Sequence, residues 1–194
     1  MTSDLLKDFN LLISSARGNE REAGSELRYL LTELRDINVQ TGLTPVSGLT
    51  VAKTAIDPVD VVRKLRPILS EKPWQFRYIL KIKPIMRVVQ SDIARVCEAV
   101  EELASKVQEN ETFRVSVQKR HSKLLSKELI DEVAKRVPRK VDLKKPSKVI
   151  LVEIMGDLAG VSVLSTDDVL AVESEKRLSR CRLKGAPTAQ LSTV

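Results

Sequence analysis

The chain has 194 residues, 42% apolar and 30% charged, and carries a formal net charge of +7. That composition supports one large domain or two small ones with a buried core, and it excludes a chain disordered throughout. No apolar run approaches the roughly 20 residues of a membrane span, no secretory pattern opens the chain, and Cys97 and Cys181 stand far apart. The expected setting is therefore a reducing cytoplasm, away from membranes.

Residues 9–16 read as a strand. Over residues 19–35 the apolar period changes, with Ala23, Leu27, Leu30, Leu31 and Leu34 at helical spacing. Gly42 and Thr44-Pro45 mark a turn, and residues 46–55 supply one or two strands with Gly48 as a bulge or hairpin tip. Asp57-Pro58 is a helix start, because aspartate caps free amides and proline fits the first helical position. Val61, Val62, Leu65, Ile68 and Leu69 form that helix's apolar stripe, and Lys72-Pro73 ends it. Tyr78, Leu80 and Ile82 then alternate with Ile79, Lys81 and Lys83 in a strand that must end, bulge or lie at an edge at Pro84.

Ser91-Asp92 caps a further helix with Ile93, Val96, Cys97, Val100, Leu103, Ala104 and Val107 inside. A strand follows with Phe113, Val115 and Val117 inward and Arg114, Ser116 and Gln118 outward. Ser126 begins a helix with Ile130, Val133, Ala134 and Val137 inside, and Pro138 stops it. Residues 149–154 read as a fully apolar strand that turns at Gly156-Asp157 into residues 159–165. At most a short helix around residues 167–172 and a flexible tail over 185–194 remain. The order β-α-β-β-α-β, then α-β-α-β-β, makes the fold α+β, its first half a ferredoxin-like unit. The expected division is residues 1–89, 90–166 and a C-terminal 167–194.

Charge is the strongest functional signal. Residues 112–148 hold twelve Lys or Arg and four acids, a net +8 against +7 for the whole chain. One segment thus carries the entire cationic excess, as a polyanion-binding face does. Lys119, Arg120 and Lys123 flank a strand-to-helix loop. Lys127 and Lys135 fall on the exposed side of the next helix, with Arg139 and Lys140 just past its end. Part of this helix is self-paired, since Glu132 and Arg136 stand four residues apart. His121, the single histidine, has no second histidine for a metal and no evident triad partners, which leaves phosphate contact, base contact or plain exposure. Cys97 reads as a small buried hydrophobe.

Two further stretches carry residues of binding chemistry. Residues 14–20, SSARGNE, place a helix start where phosphate can bind, but match neither a Walker loop nor a dinucleotide fingerprint; a tight turn at Gly18 with Asn19 as cap is simpler. Trp74, Phe76 and Tyr78 are two residues apart, as a base-stacking face requires, but with aromatics only 3% of the chain a face packed between the halves is the favoured reading. No catalytic residue, metal site or cofactor is expected, and no small-molecule substrate.

The sequence FRVSVQKRHSKLLSKELIDEVAKRV (113–137), followed by VDLKKPSKVILVEIMGDLAGVSVL (141–164), resembles a THUMP domain. The strand, basic loop, helix and closing hairpin with its Gly-Asp-x-x-Gly turn fall in that family's order. NLLISSARGNEREAGSELRYLL (10–31) resembles the ferredoxin-like unit that precedes such domains, and RYILKIKPI (77–85) the strand joining the two. The α+β fold is then a ferredoxin-like N-terminal unit followed by an α/β THUMP domain. Most THUMP proteins fuse the module to a methyltransferase, thiouridine synthetase or pseudouridine synthase domain, for which this sequence is expected to have no room. The resemblance therefore implies a stand-alone, non-catalytic tRNA-binding adaptor. It would hold the acceptor stem and 3′ end and present tRNA to a separate RNA cytidine acetyltransferase for N4-acetylcytidine formation. The alternative is an RNA-binding subunit of a split tRNA thiolation or methylation enzyme. Lys81, Lys119, Arg120, His121 and Lys123 fall at or beside the family's basic positions, and Lys127, Lys135, Arg139 and Lys140 complete the expected RNA-binding set.

Overall fold

A computed structural model describes residues 5–184. The first unit runs β1 (Leu11–Ser15), α1 (Glu20–Glu33), β2 (Gln40–Leu43), β3 (Leu49–Lys53), α2 (Pro58–Glu71) and β4 (Ile79–Pro84). Its strands lie in the order β4-β1-β3-β2, all antiparallel, which is the ferredoxin-like arrangement. Both helices cover one face of this sheet. Ala23, Leu27, Leu30 and Leu31 of α1 and Val61, Val62, Leu65 and Leu69 of α2 pack against Leu11, Ile13, Ile79 and Ile82. Asp57 starts α2 as expected, its Oδ1 accepting the N–H groups of Val59 and Asp60 at 2.9 and 3.1 Å. A cap of this kind contributes about 1 kcal/mol.

The second unit runs β5 (Arg87–Gln90), α3 (Ile93–Leu103), β6 (Thr112–Arg120), α4 (Ser126–Lys135), β7 (Lys140–Val141), β8 (Lys148–Met155) and β9 (Leu158–Leu164). Its sheet order is β5-β9-β8-β6-β7, with β6 parallel to β8 and β7 and the other pairs antiparallel. Val96, Val100, Leu129 and Val133 of the two helices bury against Phe113, Ile150, Val152 and Ile154. The fold is α+β, with two sheets each backed by helices on one side.

The sheets' other faces meet. Leu12, Leu49 and Val51 of the first sheet, with Phe9 and Val46 beside them, form one cluster with Ile85 of the connection and Met155 of the second sheet. The alternation of a strand makes this automatic: Leu11 and Ile13 face the helices, so Leu12 faces away from them.

Several expectations change. β2 occupies the stretch read as a turn, because Gly42 sits inside the strand. A Cβ there would lie 2.8 Å from Leu5 Cδ2, so any larger residue would push the end of that leucine aside. β4 does not alternate cleanly. The register slips between Ser14 and Ser15, so Leu80 bulges out while Ile79 and Ile82 are buried. Buried Leu129, and not Ile130 or Ala134, leads the inner face of α4. β8 is not fully apolar, because Glu153 lies within it, entirely buried. β5 crosses the division at residues 89 and 90 and pairs with β9 of the second sheet.

The C-terminal part returns to the first unit. β10 (Leu170–Ala171) pairs with β4, and α5 (Val172–Lys184) follows it. Arg66 of α2 holds Glu175 of α5 through Nε and NH2 at 2.9 and 3.2 Å, and Lys176 Nζ donates to Phe76 O at 2.7 Å. The short helix expected near residue 167 is a single 3-10 turn, Thr166–Asp168, before β10. The tail expected over residues 185–194 lies outside the described residues.

Candidate nucleic-acid interface

A cleft of about 400 Å³ is lined by Arg17, Val46 and Ser47 of the first unit and Arg120 and His121 of the second. Three turns build it. The first, after β1, carries Arg17 and turns at Gly18. The second, between β2 and β3, carries Ser47 and turns at Gly48, whose φ of +79° favours glycine and where an added Cβ would crowd Ser15 O at 3.1 Å. The third ends β6, where His121 takes a left-handed backbone (φ +54°) that turns the chain away from the sheet.

Glu20 ties the first two turns together. Its Oε1 accepts the N–H groups of Gly48 at 2.6 Å and Gly18 at 3.1 Å. The bond from Gly48, then the glutamate's own amide and that of Gly18, holds this carboxyl below its ordinary range. Asn19, expected as the cap of α1, makes no capping bond, and the adjacent Glu20 does the ordering instead.

Beneath the cleft lies a chain of charges that joins the sheets. Lys83 of β4 donates through Nζ to Glu153 Oε1, and at 3.2 Å to Gln118 Oε1. Arg120 NH1 donates to Glu153 Oε2 at 3.2 Å. The side chains of Lys83 and Glu153 are 6% and 0% exposed, whereas that of Arg120 is 33% exposed. Burial pulls the Lys83 ammonium below the ordinary lysine value, opposed by Glu153, while Lys81 and Arg120 add like-charge repulsion. Alternation explains the grouping. Gln118 and Arg120 share the side of β6 away from α3 and α4, and Glu153 stands beside Gln118 on β8.

The nine expected RNA-binding residues do not form one wall. Arg120 and His121 line the cleft, and Lys81 lies close enough to repel Lys83. Lys123 borders an adjoining depression with His121, Ser91, Glu128 and Asp157. Lys119 Nζ donates to Leu124 O in the same loop at 2.7 Å. Lys127 and Lys135 are exposed on α4, where Lys135 pairs with Glu132 at 2.6 Å. Arg139 and Lys140 sit elsewhere. Lys140 pairs with Thr112 at the start of β6, eight residues and roughly 26 Å from Arg120 at a strand's rise. Arg139 spends its guanidinium on the carbonyls of Val107, Gln108 and Pro138.

Arg17, Ser47, Lys83 and Glu153 are the cleft residues that sequence reasoning left out. Arg17 had a signal in the Gly-Asn turn of SSARGNE, while Glu153 was masked by its apolar neighbours. Trp74, Phe76 and Tyr78 share no face. Phe76 is 1% exposed in the first core, whereas Trp74 is 67% exposed on a 3-10 turn.

Residues 90–164 match the model of the THUMP domain family, and a THUMP domain is present there. No curated protein sequence matches the chain. Among solved structures, PH1313 from Pyrococcus horikoshii superposes on 81% of this chain and 55% of its own, with TM-score 0.56 and 16% identity. A 4-thiouridine synthetase in complex with RNA and ATP covers 81% of this chain and 42% of its own, with TM-score 0.51 and 18% identity. A possible methylase from Clostridium difficile covers 80% and 40%, with TM-score 0.51 and 15% identity. These are likenesses of fold, and the chain spans about half or less of the solved chains it matches. No helix among the described residues is long and apolar enough to cross a membrane.

Proposed function

We propose that the chain uses its THUMP domain and ferredoxin-like unit together to hold tRNA, and that it acts as a non-catalytic adaptor. The single observation that supports this best is the cleft between the two sheets. It sets Arg17, Arg120, His121 and Ser47 around one opening, with Lys123 on the adjoining depression and Lys81 in charge range of Lys83. Guanidinium, ammonium and hydroxyl groups converging on a concavity suit a ribose-phosphate backbone. Such contacts give affinity and register, while sequence is read elsewhere.

The adaptor presents tRNA, held by its acceptor stem and 3′ end, to a separate RNA cytidine acetyltransferase that forms N4-acetylcytidine. Its contribution is geometric. Tethering substrate and enzyme raises the effective concentration of one for the other without any new bond in the cleft. The likeness in fold to a 4-thiouridine synthetase in complex with RNA, and to a possible methylase, supports a second reading, an RNA-binding subunit of a split thiolation or methylation enzyme.

Filter binding of bulk tRNA tests the shared premise, and absence of binding at moderate salt overturns both readings. Nucleoside mass spectrometry of tRNA from a deletion strain separates them. Loss of N4-acetylcytidine supports the adaptor; loss of a thiouridine or a methylated base supports the alternative.

A further inference from the structure

Glu153 poses a problem for a polyanion-binding cleft. It is a fully buried carboxylate directly beneath the cations, and it lowers the charge of the site by one. Rigidity alone does not call for it, because apolar side chains of similar volume join buried surfaces at least as well as an ion pair. Its place in the network supplies the reason. One carboxylate oxygen takes Lys83 from the first sheet and the other takes Arg120 from the second. Gln118 receives a further Lys83 proton, so the lysine is fixed from two sides. Arg120 carries five N–H groups, of which one is engaged by Glu153 while the side chain lines the cleft.

We infer that Glu153 is a positioning residue for RNA binding. It clamps Arg120 against Lys83 across the joint between the sheets, so that the free edge of the guanidinium faces a phosphate in the cleft. The inference rests on the tRNA-binding reading above. It leads to a consequence opposite to simple charge counting. Glu153→Gln adds one net positive charge to the site and yet weakens RNA binding, because Arg120 loses its anchor.

The experiment measures tRNA affinity by filter binding, and thermal melting, for the intact protein and three variants. Glu153→Gln is expected to bind about tenfold more weakly, the size of one well-placed charge-assisted contact. Lys83→Met with Glu153→Gln restores the net charge of the parent triad and removes the buried unpaired lysine, so its melting temperature recovers. Its affinity is expected to stay low, which a purely structural role for Glu153 would not produce. In an Arg120→Ala background, Glu153→Gln is expected to change affinity by less than about twofold, since the two residues act as one unit. Tighter binding by Glu153→Gln, or parent-like binding by the double variant, overturns the inference and leaves tRNA binding by the cleft intact. A parent that binds no tRNA overturns the reading beneath it as well.

Discussion

Removing Arg17 is the most informative single perturbation of the cleft. Two cations line it, Arg17 and Arg120, and three more stand on the segments around it: Lys123 on the adjoining depression, Lys119 in the same loop and Lys81 near Lys83. If each neutralises one phosphate, log K against log salt has a slope of about −3.5 to −4.5, the lower figure for single strands. Affinity then falls by about 100- to 500-fold between about 50 and about 200 mM salt. Arg17→Ala leaves four contacts and a slope of about −2.8 to −3.6. The side chain is exposed and the turn beneath it is held by Glu20 through Gly18, so the fold is expected to be untouched. Filter binding of bulk tRNA across a salt series reads both slopes, and equal melting curves confirm the fold. An unchanged slope places Arg17 outside the interface, and a flat parent series refutes an electrostatic grip altogether.

Further outcomes follow from the same geometry. Glu20→Gln is expected to lower the melting temperature at neutral pH by loosening the turns of Arg17 and Ser47. The Glu20 carboxyl is held below its ordinary value, so its contribution is complete above about pH 4.3 and is lost as pH falls through the lowered value. The difference in melting temperature between parent and variant should therefore shrink in acid; a difference that grows there contradicts the assignment. Leu129→Ala, at the fully buried centre of α4, should cost about 2–5 kcal/mol in urea denaturation, and a loss below about 1 kcal/mol would deny that packing. Arg139→Ala with Lys140→Ala should change tRNA affinity by less than about twofold at moderate salt, because both lie at the far end of β6. A tenfold loss would extend the interface along the whole strand.

The elements themselves were largely legible. Apolar spacing marks α1, α2 and α3, and the Asp57-Pro58 pair marks a helix start at which Asp57 Oδ1 indeed caps the Val59 and Asp60 amides. What escaped depends on contacts between distant parts of the chain. Lys83 and Glu153 look like ordinary solvated charges until two open sheet faces are brought together, and alternation within one strand says nothing of a second sheet. Gly42 reads as a turn unless Leu5 is known to press on it. The cationic segment 112–148 was visible as a total, but total charge carries no direction. β6 separates Arg120 from Lys140 by its full length, and Arg139 is spent on carbonyls. Arg17, outside that segment, joins the cleft only because its turn folds against the end of β6.

Amide hydrogen exchange of the protein, with and without bound tRNA, tests the central claim most directly, because it reads where the RNA rests. Protection is expected over residues 16–20, 46–49 and 119–124, the three turns of the cleft, drawn from both sheets at once. Protection confined to residues 138–145, or to the outer surface of α1 and α2, would contradict a grip between the sheets.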